Sequence, residues 1–286
     1  MSVSRSAAIE AALDPVFLRE WDACHEAARD AVVAALRAMG ARPETLEYAS
    51  GLRLYYRVIY LLTLWAPDAD LRRRITIDLA AHVVSMKLID DLNDDDSGMD
   101  RLDLGLGFLT LLLSSTHKLA AYGDAIGVLA AQAENFEHIC REQLRCKRVP
   151  ARDLGTWLDY ANEYGARFLA TYGRMGGLAS GLGAASEVPE TFASAFGLII
   201  TIADDLTDYF RKHERIGNIG ALILDGAVTS ADLARVLDRE RTRARDAAEA
   251  LPTAYDLRPM VDIYVYDVLD RIIPMILAEK TTTAER

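Results

Sequence analysis

Two short stretches of this chain carry the same arrangement of carboxylates. LIDDLNDDD holds Asp90, Asp91 and Asp94, and IADDLTDYF holds Asp204, Asp205 and Asp208, each reading D-D-x-x-D. On a helix, residues four apart share a face, so Asp90 projects with Asp94 and Asp204 with Asp208. Stepping back along those faces gives Met86, Val83 and Leu79 in the first stretch, and Ile200, Phe196 or Gly197, and Ala193 in the second. The carboxylates therefore sit on apolar stripes that should face a core. An unpaired carboxylate there is costly; it protonates, finds a partner or binds a metal. One shared cation site explains two such clusters better than two accidents of an acidic chain. Hard oxygen ligands select Mg²⁺ over zinc or copper. Ions held in this way bind polyphosphates and neutralise charge building on a departing diphosphate. The expected metal ligands are Asp90, Asp91, Asp94, Asp204, Asp205 and Asp208, and all but Asp205 are also expected to carry the catalysis. Asp95 and Asp96 fall off the first motif's face.

The elements that must position these groups are helical. Apolar spacing follows the helical period almost throughout, and no stretch has a convincing period of two. Asp14-Pro15 is a cap followed by proline at the first helical position, and Gly40 closes that segment. A second helix is expected from Pro43 to about Trp65 and a third from a cap at Asp68 to the Asp cluster. Others are expected over about 101–121, 124–147, 152–180, 190–212, 230–250 and 256–279. The breaks between them are short and carry Gly, Pro, Asp or Ser. With no linker and no clear repeat, the chain reads as one all-α domain over 1–286, loose at about 1–13 and 281–286.

Composition narrows the function. Asp and Glu outnumber Lys and Arg by 43 to 32, leaving a net charge of −11. That argues against nucleic acid as a partner, since a phosphate backbone is bound by a basic surface. Three cysteines without a C-x-x-C pair read as reduced thiols of a cytoplasmic protein. The spacing of His138, Cys140 and Cys146 fits no common zinc module. The start lacks an apolar signal-like region, and no run of about 18 apolar residues suggests a membrane span.

Both Asp motifs, and the helical order around them, resemble the trans-prenyltransferases of the isoprenyl diphosphate synthase superfamily. Within it, LRLYYRV, VSMKLIDDLNDDDSGMDR, CREQLRCKR, EYGARFLATYG and IADDLTDY followed by IGN, spread over roughly 50–220, are most similar to the prenyltransferases of moenomycin-type phosphoglycolipid biosynthesis. The resemblance implies an isoprenoid-synthase helical bundle around a central cavity, Mg²⁺, and a homodimer with at most weak membrane association. It also implies transfer of a farnesyl group from its diphosphate to the hydroxyl of 3-phosphoglycerate. The family's isopentenyl diphosphate motif, G-K-R-x-R-P, is here Gly51-Leu52-Arg53-Leu54-Tyr55-Tyr56, so only the glycine and Arg53 survive. The usual Arg-Arg pair after the first motif falls on Met99 and Asp100. The usual Lys-Thr falls on Tyr164 and Gly165, and the lysine after the second motif on Asn218. Gln143 is retained from G-Q-x-x-D, while its Asp is Cys146.

A chain missing those cations should bind isopentenyl diphosphate poorly, which favours another acceptor. A small anionic hydroxy acceptor still needs cations, and Arg53, Arg57, Arg145, Lys147 and Arg148 are candidates, Arg suiting bidentate binding. Lys212 and Arg101 are candidate substitutes for the lost grip on the prenyl diphosphate, with Gln143 as a further substrate contact. Tyr55, Tyr56, Tyr60, Phe168 and Phe196 are candidate walls of a prenyl pocket, where ring faces would stabilise an allylic cation. A chain-elongating polyprenyl diphosphate synthase and a class I terpene cyclase are the alternatives. The lost motif elements speak against the first. Asp204, Asp208 and Lys212, standing where a cyclase places N/D, S/T and E, speak against the second.

Overall fold

The computed structural model describes residues 5–94, 98–212 and 215–284. The side chains of Asp94, Gln143, Cys146, Lys147 and Lys212, and all of Asp95 and Asp96, lie outside what it describes. It is all-α, as expected, with no strand among the described residues.

The first long helix shows how the sequence builds these elements. After a short helix α1 (Arg5–Ala11), α2 (Pro15–Ala38) starts where Asp14 accepts a hydrogen bond from the Val16 N–H at 2.7 Å. Phe17, Trp21, Cys24, Ala28, Val32 and Leu36 form its buried stripe at three- and four-residue spacing. Gly40, with φ 89°, ends it in the left-handed conformation.

The segment expected as one helix from Pro43 is two, α3 (Pro43–Gly51) and α4 (Arg53–Leu61), broken at Leu52 where ψ is 46°. Asp68 caps α5 (Ala69–Asp94), accepting from the Leu71 N–H at 3.0 Å. Then come α6 (Arg101–Leu119), α7 (Ala125–Arg148), α8 (Leu154–Ala161) and α9 (Arg167–Ala179), the last two joined by one π-helical turn, Asn162–Ala166. The chain continues through α10 (Glu187–Lys212), a short α11 (Ile219–Leu224), α12 (Ser230–Ala250), α13 (Arg258–Asp267) and α14 (Ile273–Ala284). A second π turn, Val268–Ile272, joins α13 to α14, where the sequence suggested one uninterrupted helix.

The core lies where α5 packs on α2, α4 and α6, and where α10 packs on α9 and α12. Gly173 brings α9 and α10 together: a Cβ there would lie 2.5 Å from the Ala193 Cβ. Residues 5–11, within the segment expected to be loose, form α1. α1 packs against α13, Arg5 pairs with Asp270 at 2.9 Å, and its guanidinium lies 4.0 Å from the Tyr266 ring centre.

Candidate active site

Helices α4, α5, α9 and α10 and the π turn enclose a cavity of about 120 Å³. Leu54, Val58, Ile59, Val83, Met86, Leu169 and Ile200 make its wall apolar, with Tyr55 and Phe168 as its aromatic members. Lys87, Asp90, Tyr164, Thr201 and Asp204 supply its polar groups. The first carboxylates of the two Asp motifs thus line one cavity whose wall is mostly apolar.

Each carboxylate of the first motif has defined partners. Asp90 Oδ2 accepts from Lys87 Nζ at 2.9 Å and Oδ1 from the Tyr164 hydroxyl at 3.1 Å. Asp91 is buried; Lys87 Nζ lies 2.7 Å from its Oδ1, and the Tyr48 hydroxyl donates to Oδ2. Burial pushes the Asp91 pKa up, and Lys87 and Tyr48 only partly offset it. Burial would lower the Lys87 pKa, but Tyr55, Asp90, Asp91 and Tyr48 around it win, and the ammonium is held far above its ordinary range. Burial, followed by the negative charges of Asp204, Asp90 and Asp91, keeps the Tyr55 phenol neutral.

The π turn places Tyr164 over Asp90, with the Tyr160 ring stacked on it at 5.3 Å between centres. Gly165 beside it is required by space: a Cβ would fall 1.9 Å from Thr201 Oγ1. An inserted π turn of this kind re-aims the side chains it carries.

The second motif is built differently. Asp204 is exposed at the cavity, whereas the Asp205 carboxylate accepts from Trp157 Nε1 at 2.9 Å, the Ile219 N–H at 2.7 Å and Asn218 Nδ2 at 3.1 Å. Asn218 Nδ2 also reaches the Asp205 carbonyl at 2.6 Å. Asp205 therefore ties α8 and the start of α11 to α10. Asp208 is half-buried one turn further along α10.

Part of the acidic cluster has other work. Asp100 caps α6 through the Leu102 and Asp103 N–H groups at 3.0 and 3.1 Å. Asp103 accepts from the Arg42 N–H at 2.7 Å and Thr45 Oγ1 at 3.0 Å, holding α3 to α6.

The candidate cations scatter. Arg53 is exposed at the start of α4, next to the cavity residues Leu54 and Tyr55. Arg57 does not line the cavity; it pairs with Asp22 at 3.1 Å and lies 4.5 Å above the Trp21 ring. Arg145 pairs with Glu142 at 2.6 Å, and Arg148 is exposed at the end of α7. The loop after that helix meets the loop after the second motif, since a Cβ on Gly217 would lie 3.3 Å from the Ala151 nitrogen. Of the aromatic candidates, Tyr55 and Phe168 line the cavity. Tyr56, Tyr60 and Phe196 are fully buried core, Tyr56 donating to the Ala49 carbonyl at 2.7 Å.

Lys87 and Tyr48 were not among the sequence-derived candidates, and Tyr164 and Asn218 entered only as places where family cations are lost. Lys87 was findable, because it stands three residues before Asp90 and four before Asp91, on their face. The approach of Tyr48 and Trp157 depends on packing between elements and has no local signal.

The oxygen-rich polar end suits a hard divalent ion, although among the described residues no three His, Cys, Asp or Glu side chains already converge as a metal-holding group. The architecture is the isoprenoid-synthase helical fold. The chain is similar to a solved geranylgeranyl pyrophosphate synthase from Corynebacterium glutamicum, at 15% identity and TM-score 0.66, over 91% of this chain and 95% of that one. It is similar to a decaprenyl diphosphate synthase from Rhodobacter capsulatus, at 17% identity and TM-score 0.62, over 89% and 98%. A polyprenyl synthase from Caulobacter crescentus, complexed with calcium and isoprenyl diphosphate, matches at 16% identity and TM-score 0.63, over 95% and 99%. No protein-family model and no curated protein matches the sequence.

Proposed function

We propose that this protein is a Mg²⁺-dependent prenyltransferase that joins an allylic chain, farnesyl by preference, to the hydroxyl of 3-phosphoglycerate. The observation that carries the reading is the meeting of Asp90 and Asp204, one from each motif, at the polar groups of a single apolar cavity. The similar solved structures, two prenyl diphosphate synthases and a polyprenyl synthase complexed with isoprenyl diphosphate, support the diphosphate part. The calcium in one of them is, like Mg²⁺, a hard divalent cation.

Asp90 and Asp204, with Asp94 and Asp208 a turn along each helix, would hold Mg²⁺, which supplies positive charge to the leaving diphosphate. Asp91 and Asp205 act by positioning, since neither lines the cavity: Asp91 is buried beside Lys87 and Tyr48, and Asp205 is tied to Trp157, Asn218 and Ile219. The apolar wall holds the prenyl chain and excludes water. The Tyr55 and Phe168 rings stabilise positive charge on the allylic carbons as the C1–O bond breaks. The acceptor hydroxyl forms the new C1–O bond, and its proton passes to the released diphosphate. Arg53, next in the chain to the cavity residue Leu54, is the candidate for the acceptor's phosphate or carboxylate; Arg145 and Arg148, on α7, are candidates for the same role by sequence alone. Gln143, Lys147 and Lys212 remain candidates by sequence alone.

The same relatives favour a second reading, chain elongation with isopentenyl diphosphate. Mass spectrometry of products from C10, C15 and C20 allylic diphosphates, each offered with 3-phosphoglycerate or isopentenyl diphosphate, separates the two. An ether of 3-phosphoglycerate supports the first, and elongated diphosphates alone replace it with the second.

Among the described residues no helix is long and apolar enough to cross a membrane, which agrees with a cytoplasmic enzyme touching membranes weakly through its lipid substrate. A homodimer is supported by an exposed stripe on α6: Leu102, Leu106, Leu109 and Leu113, 67%, 47%, 48% and 67% exposed. A second copy would cover it, and sedimentation at micromolar concentration tests this.

A further inference from the structure

Among the described residues Lys87 is the one cation in the cavity wall, and it is not placed as a passive surface charge. Its side chain is only 17% exposed, and its ammonium touches Asp90 at 2.9 Å and Asp91 at 2.7 Å. Tyr164 takes the second oxygen of Asp90, at 3.1 Å. Both oxygens of Asp90 are therefore bonded, and a divalent ion reaching for either must displace a partner. It must also approach a resident positive charge across a few ångströms of poorly screened space. The position three before Asp204 in the second motif carries no charge: it is Thr201, whose hydroxyl is turned back onto the Gly197 carbonyl at 2.8 Å.

We propose that Lys87 is a built-in counter-ion of the first Asp motif. It must release Asp90 before a divalent ion can bind there, and the incoming diphosphate draws it off by accepting its ammonium. A lysine suits this exchange because its point charge rides on a flexible four-carbon stem that can turn within the cavity without moving the backbone. The anionic diphosphate entering the cavity would be a competing partner for that ammonium. Metal and diphosphate then enter together. The closed ion cluster cannot form on an empty pocket. The inference rests on the metal reading proposed above, and Lys87 acts in it as a positioning residue whose two partners alternate.

The test is binding of Mn²⁺ to the full-length protein, followed by loss of the free-ion electron paramagnetic resonance signal, without and with inorganic pyrophosphate. Wild type should bind Mn²⁺ weakly alone and much more tightly with pyrophosphate. Lys87→Gln, which removes the charge but keeps a hydrogen-bond donor, should bind Mn²⁺ alone about tenfold or more tightly than wild type. It should also lose most of the enhancement that pyrophosphate gives. Lys87→Met with Asp91→Asn keeps the buried charge balanced and should show the same tightening if the single variant fails to fold. Tight Mn²⁺ binding by wild type without pyrophosphate, or Mn²⁺ affinity within twofold of wild type in the folded variants, overturns the exchange while leaving the metal site standing. No Mn²⁺ bound by wild type or variants, with pyrophosphate present, overturns the metal site itself and the exchange with it.

Discussion

The two Asp motifs have the same spelling and different chemistry around them. In the first, on α5, Asp90 and Asp91 share a lysine from their own helix, and two tyrosines from neighbouring elements complete their hydrogen bonding. In the second, on α10, Asp204 is exposed at the cavity, and Asp205 is locked by an indole, an amide and a backbone N–H. The first motif carries its own counter-charge, and the second carries a structural anchor. A repeated sequence pattern thus fixes where carboxylates lie along a helix, whereas the packing of other elements decides which of them can meet a ligand.

The largest effects should come from the carboxylates that share the cavity. Asp90→Ala and Asp204→Ala should each lower turnover about 10²-fold or more, the usual loss when one electrostatic partner of a transition state is removed. Circular dichroism should show both variants folded. Near-normal turnover in either would break the pairing of the two motifs. Next, Asp205→Ala should act on stability, because it strands the Trp157 indole, the Asn218 amide and the Ile219 N–H together. About 3 kcal/mol is expected in urea unfolding, with Asp205→Asn recovering part of it. If Asp205→Ala unfolded like wild type but lost turnover, Asp205 would belong with the ligands and the contrast between the motifs would fall.

How much of this could be read from the chain follows from the range of each interaction. The all-α class, the cap at Asp14 and the inward faces of both motifs rest on spacing within one helix, and the structure places Asp90 and Asp204 in one cavity accordingly. Arg53 and Arg57 have equal standing as residue types, and their surroundings separate them: Arg57 folds back on Trp21 and Asp22, while Arg53 is exposed at the start of α4, next in the chain to the cavity residue Leu54. The break at Leu52 and the turn at Asn162–Ala166 carry no proline to announce them. Within that turn Gly165 lies against Thr201 of α10, a contact between elements that the local sequence does not announce.

That separation of the arginines gives a smaller but sharper prediction. Arg53→Ala should raise the KM for an anionic acceptor about tenfold or more, the loss of a charge-assisted hydrogen bond. Arg57→Ala should leave that KM unchanged and cost under about 1 kcal/mol of stability, since its ion pair is half-exposed. Equal effects on KM would return both to the acceptor site. Smallest of all, Asp95→Asn and Asp96→Asn, which helical spacing predicts to fall off the motif's face, should shift unfolding free energy by less than about 0.5 kcal/mol and keep turnover.

The claim on which all of this depends is that the two motifs act on one allylic diphosphate in one cavity. Release of diphosphate from farnesyl diphosphate, followed with 3-phosphoglycerate present, with Mg²⁺ and after its chelation, tests that claim most directly. Release that requires Mg²⁺, and that falls in both Asp90→Ala and Asp204→Ala, is the predicted result. A folded wild-type protein that releases no diphosphate from C10, C15 or C20 allylic substrates with Mg²⁺, whichever acceptor is offered, would contradict it.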